Sequence, residues 1–166
     1  MSDSIDRWDE IAQLAEGQQG HVTREQLLAM GIHPSTICSW IARGKLVRVH
    51  QGVYALSYRR VEPVARAMAA VLSCGPGAVL SHDAALALWK LRRWPRQMEV
   101  TAPRCVRRPG ITAHRSTTLT PADTTVQLGV PVTRPARAID DIRPTAHRAP
   151  VRSAGQRRPA AAVDLR

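Results

Sequence analysis

The stretch Val22 to Leu56, VTREQLLAMGIHPSTICSWIARGKLVRVHQGVYAL, constrains the fold more tightly than any other part of the chain. Thr23 followed three residues later by Gln26 predicts a helix start in which the two side chains cap each other's backbone amides. Gly31 is the residue type expected just past the end of that helix, where the backbone turns left-handed. Pro34 suits the first position of a second helix, and Ile37, Trp40 and Ile41 recur at the i, i+3, i+4 spacing of a buried stripe. The opposite face then carries Ser35, Ser39, Ala42 and Arg43, with Thr36 at its edge. Gly44 ends the helix, and Lys45 to Leu56 alternates like a hairpin with Gln51-Gly52 as a two-residue turn. That register places Val49 opposite Tyr54 and Val47 opposite Leu56 on one face. It leaves Arg48 and His50 together on the other, beside Lys45 and Arg43. Helix, turn, helix and ribbon make a winged helix-turn-helix.

A helix of small side chains fits the major groove of DNA, and ribbon cations meet phosphates or the adjacent minor groove. The charge is placed accordingly. Gly31 to Arg60 holds five basic residues and no acid, whereas Met1 to Met30 holds two Arg against six Asp or Glu. The DNA-contacting set expected from this face is Ser35, Thr36, Ser39, Arg43, Lys45, Arg48, His50 and Gln51. Winged helices also serve as protein-docking modules, and that alternative stands beside the DNA reading.

A formal net charge of +11 over 166 residues favours polyanionic partners. No apolar run approaches the roughly 20 residues that a membrane span requires. The acidic start MSDSIDRWDE does not read as a signal peptide, so a cytoplasmic protein is expected. Cys38, Cys74 and Cys105 are widely spaced and include no C-x-x-C pair, which favours reduced thiols over disulfides or zinc. Cys38 falls beside the apolar stripe and is expected to be buried or half-buried. The six His are scattered with no H-E-x-x-H, Asp140-Asp141 alone is a weak pair, and glycine-rich phosphate loops are absent. Neither metal, cofactor nor enzymatic activity is expected.

Residues 6 to 16 predict a first helix with Trp8, Ile11, Ala12 and Ala15 inward, closed by Gly17. Its acids should turn away from any DNA. After the wing, Pro63 opens a helix with Val64, Met68, Val71 and Leu72 inward, and Cys74-Gly75-Pro76-Gly77 stops it. Ala78 to Leu80 reads as a short buried run. Ser81 then offers an N-cap to a helix carrying Ala85, Leu88 and Trp89; the triplet Ser81-His82-Asp83 is better explained by capping than by a catalytic relay, because adjacent residues do not stack into one. Met98, Val100 and Ala102 alternate as a strand, and Ile111 to Ser116 and Thr124 to Thr133, the latter broken near Gly129, read as further strands. The basic loop Pro103 to Gly110 either extends a DNA footprint or is simply solvated. Thr133-Arg134-Pro135-Ala136 starts a last helix. The expected organisation is α+β: a winged helix-turn-helix at 5–57, a small α+β domain at 61–142, and a basic tail at 143–166 too poor in large apolar residues to order itself.

The winged unit at 18–56, with GKLVRVHQGVYAL, is followed by AVLSHDAALALW at 78–89, QMEVTAPR at 97–104, ITAHRS at 111–116 and GVPVTRPARAIDDI at 129–142. These segments in this order resemble the AbiEi family of antitoxins from type IV, abortive-infection toxin-antitoxin systems. The resemblance implies an N-terminal winged helix that binds inverted repeats in the operon's own promoter, and a following domain linked to antitoxicity. It also implies a functional link to a nucleotidyltransferase-like toxin that is countered without a stable complex. Longer relatives continue past the position of Ile142 into a small nuclease-like domain whose metal-binding acids have no counterpart here. The abrupt change to an Arg- and Pro-rich ending reads as a truncated or frame-shifted terminus.

Overall fold

The computed structural model describes residues 3–58 and 60–143. Three short strands and three helices come first. Helix α1 (Asp3–Gly17) leads through a tight turn into β1 (His21–Thr23), α2 (Arg24–Ala29), α3 (Pro34–Ala42), β2 (Leu46–His50) and β3 (Val53–Leu56). The reciprocal bonds between Thr23 and Gln26 form as expected: the Gln26 amide donates to Thr23 Oγ1 at 3.1 Å, and the Thr23 amide donates to Gln26 Oε1 at 2.9 Å. At the end of α2, Ile32 N–H reaches the Leu27 carbonyl at 3.0 Å and Gly31 sits at φ +79°; this left-handed closure makes the turn into α3. Ile11, Leu27, Ile37, Leu46, Val22 and Tyr54 are buried together as the first core.

The strand β1 was not anticipated from the sequence. Only three residues long, it pairs with β3, which becomes the centre of a sheet ordered β1-β3-β2. Both edges of β3 are thereby paired, and Val53, Tyr54 and Ala55 are all buried. The hairpin register also differs from the expected one. His50 lies opposite Val53 across the Gln51-Gly52 turn, but Arg48 pairs with Tyr54, Val47 with Ala55 and Leu46 with Leu56, with an irregularity between Arg48 and His50. One extra residue, Val49, is absorbed as a bulge, and everything before it shifts by one position.

The rest of the described chain forms a second, mixed sheet. Helix α4 (Pro63–Ser73) is followed by β4 (Val79–Leu80), α5 (His82–Leu88), β5 (Met98–Ala102), β6 (Ile111–Arg115), β7 (Thr124–Gln127), β8 (Val130–Thr133) and α6 (Pro135–Ile142). Strand order is β6-β5-β4-β8-β7, with β4 parallel to β8 and β5 parallel to β6. Its core gathers Ala67, Met68 and Val71 of α4, Leu86 and Leu88 of α5, and Leu80, Val100 and Val132. Helix α4 packs against both sheets. The expected tail lies, apart from Arg143, outside the described residues.

The β7–β8 turn docks on the turn after α1. Gln19 Nε2 donates to the Leu128 carbonyl at 2.8 Å, and a Cβ on Gly129 would stand 2.9 Å from the Gly17 carbonyl oxygen. Gly129 also has φ +79°. Replacing Gly129 with Ala is therefore expected to cost about 1–2 kcal/mol, from a strained backbone and a displaced turn. Denaturant unfolding of the variant checks this, and an unchanged midpoint would show that the turn rearranges freely.

Candidate nucleic-acid interface

Helix α3 is built as its pattern requires. His33 Nδ1 accepts from the Ser35 amide at 3.3 Å and contacts Ser35 Oγ at 2.7 Å, so His33 is the N-cap and Pro34 the first helical residue. Gly44 at φ +71° and the Lys45 amide on the Trp40 carbonyl at 2.9 Å close the other end. Ile37 is buried, with Trp40 and Ile41 half-buried against the first core. On the outward arc Ser35, Ala42 and Arg43 are exposed, and Thr36 and Ser39 partly so. Cys38, expected to be at least half-buried, is exposed on this arc beside Ala42. Its position 100° past Ile37 turns it out of the core, because the bundle covers only a narrow side of a nine-residue helix.

Lys45 is exposed and holds its ammonium 5.4 Å from the ring centre of Trp8, which in turn meets Trp40 edge-to-face at 5.0 Å. This contact fixes the ribbon's first cation against both α1 and α3. The shifted register then separates the two residues expected to stand together. Arg48 pairs with Tyr54, so it shares the sheet face of Leu46 and Val22 that packs on the helices. His50 pairs with Val53 and shares the opposite face, that of Ala55 and His21. The expectation that Arg48 and His50 lie side by side is corrected by the bulge at Val49, since a one-residue shift reverses which face a side chain takes. Gln51 is exposed in the turn.

Two features escaped sequence reasoning. The wing turn, the start of α2 and the β5–β6 loop border a cleft of about 570 Å³ lined, among the described residues, by Arg24, Arg104, Arg107 and Arg108 and by one acid, Glu25. Arg108 is anchored, its Nε donating to the Ser73 carbonyl at 2.9 Å. The charge run in the loop was legible, but its partner Arg24, some 80 positions earlier in the chain, was not.

The other feature surrounds His82. The Ser81 side chain makes no cap bond; the amide of Asp83 donates instead to Glu99 Oε2 at 2.9 Å, so the side chain of a strand residue caps α5. Ser81 holds the expected N-cap position, its carbonyl accepting from the Ala85 amide at 3.1 Å, but its side chain does not cap the helix. Ser81 is fully buried and takes a hydrogen bond from Thr101 Oγ1 at 2.8 Å, which places it out of reach of a substrate. His82 has left-handed φ +52° and stacks on His114 with ring centres 3.8 Å apart. Among the described residues no group of His, Cys, Asp or Glu is placed to hold a metal.

Burial pushes the His82 imidazole below its usual pKa, with the neighbouring His114 adding to the effect, and burial does the same to His21. Both groups bind protons more weakly folded than unfolded. Stability should therefore be fully present above the ordinary imidazole range near pH 6.5 and fall as pH drops through it towards the depressed values. Denaturation at pH 7.5 and 5.5 measures this. The loss should shrink in the His82→Asn variant, whose side chain tolerates the left-handed backbone.

Helix-turn-helix and ribbon, with small and basic side chains on the open side of α3, define the class of fold: a helix-turn-helix carrying a two-stranded wing. Residues 9–57 match the family model described as transcriptional regulator, AbiEi antitoxin. The match covers less than a third of the chain. No curated protein matches the chain. No helix among the described residues is long and apolar enough to cross a membrane.

Proposed function

We propose that the protein is a sequence-specific DNA-binding antitoxin that represses its own toxin-antitoxin operon, with residues 5–57 as the DNA-binding domain and 61–142 as the antitoxin domain. The observation that carries this reading is positional: the sheet face bearing Arg48 is the one against which α3 is packed, so the outward arc of α3 and the cations Lys45 and Arg48 belong to one side of the domain. Ser35, Thr36 and Ser39 meet base edges, while Arg43, Lys45, Arg48 and Gln51 meet phosphates. His50, on the other sheet face, is left out of the contact. Arg24, Arg104 and Arg107 extend the footprint beyond the wing turn, a role supported by their shared cleft with Gln51. The protein acts in the cytoplasm and without catalysis. Its link to a nucleotidyltransferase-like toxin, in this reading, needs no stable complex.

Binding to the promoter DNA upstream of the gene, followed at increasing salt, tests the proposal. Affinity should exceed that for random duplex and fall linearly on a log-log plot. Arg48→Ala should flatten the slope by roughly one, the release of one phosphate's counterion. An unaltered slope would remove Arg48 from the interface, and equal affinity for random duplex would remove the repressor.

A further inference from the structure

The face of the first sheet that carries His50 is turned towards α4, and a pocket of about 230 Å³ opens between them and the second sheet. Arg60, Arg66 and His50 stand around it, and Val49, Met98 and Ile111 supply an apolar lining. No carboxylate among the described residues lines the pocket. Among the described residues neither Arg60 nor Arg66 has an ion pair; Arg66 makes one long bond, 3.4 Å, to the Arg96 carbonyl. Arg60 is held in place from two sides. Its guanidinium lies 5.6 Å from the ring centre of Tyr58 and crosses Gly20, where any Cβ would collide with its Nε. His21, wholly buried on the same sheet face, lies in the field of both Arg60 and His50 and has an Nε2 with no hydrogen-bond partner.

Two guanidiniums line one concavity, with the His50 imidazole beside them, and the two like charges repel each other. An anion in the pocket reverses the sign of the interaction, while the lining of Met98, Ile111 and Val49 rewards an apolar body attached to it. A duplex is too wide to enter a space of this volume. We propose that the pocket binds a small organic anion, one carboxylate or phosphate on a compact apolar body, held by Arg60 and Arg66. Its occupant touches β2 of the wing, α4 and the β5–β6 side of the second sheet at once, so it ties the wing to the rest of the chain. The site stands independently of DNA binding.

Titration of the full chain with benzoate, followed by amide NMR shifts, tests the assignment, with inorganic phosphate and benzylamine as comparison probes. Benzoate should move the resonances of Val49, His50, Arg66 and Gly110, phosphate should move the same set more weakly, and benzylamine should move none. Arg60→Gln and Arg66→Gln should each weaken benzoate binding at least about fivefold; Arg66 is exposed on α4, so its replacement leaves the fold intact. Shifts scattered over the surface, equal shifts with benzylamine, or binding unchanged in both variants would overturn the proposal. So would silence towards both anions combined with a flatter salt dependence of duplex binding in Arg66→Gln, which would assign the pocket's cations to a DNA phosphate.

Discussion

Ser39→Glu is expected to lower affinity for promoter DNA by at least about a hundredfold while leaving the unfolding midpoint nearly unchanged. Ser39 lies on the outward arc of α3, partly exposed, between Ser35 one turn before and Arg43 one turn after. A carboxylate there loses a base-edge contact worth about 1–3 kcal/mol and adds like-charge repulsion from phosphates on either side of the groove. Together these exceed the roughly 2.7 kcal/mol that a hundredfold change requires. The helix itself tolerates Glu at an exposed position. Isothermal titration or anisotropy with promoter duplex, paired with thermal unfolding, separates the two quantities. Retention of wild-type affinity would mean that α3 does not enter the groove.

Ile37→Ala, two positions earlier on the same helix, is expected to do the reverse. Ile37 is 2% exposed and packed into the first core with Leu27, Leu46 and Tyr54. Truncation leaves a cavity that the flanking strands and helices fill only in part, at a cost of about 2–5 kcal/mol. Denaturant unfolding should show the full loss. DNA affinity measured where the variant remains folded should change far less than in Ser39→Glu. The contrast tests whether the two sides of α3 divide stability from recognition; a small stability change would indicate that the α3 side of the core is loosely packed.

The helix-turn-helix was legible because its signals are local. The Thr23–Gln26 box, Gly31, Pro34 and Gly44 each specify a backbone conformation within a few residues, and the Ile37, Trp40, Ile41 stripe specifies which side turns inward. The strands β5, β6, β7 and β8 were legible for the same reason, through alternation and the break at Gly129. Strand β1 was not, since three residues show no period. The bulge at Val49 was not either: Val47, Val49 and the tyrosine opposite satisfy the regular register equally well on paper, whereas the shifted register buries Leu46 with Val22 and Tyr54 against the helices, a packing outcome that the hairpin's own pattern does not show.

The sequence by itself thus determined most of the elements, helix α3 with its small outward side chains, and the local excess of positive charge. Those depend on contacts between near neighbours in the chain. Only the tertiary structure decided that Arg48 and His50 part company across the sheet, that the side chain of Glu99 rather than that of Ser81 caps α5, and that Arg24 lines one cleft with Arg104 and Arg107. Each of these outcomes joins residues far apart in sequence, where packing of one surface on another, and not any local preference, selects among registers and partners of nearly equal local energy.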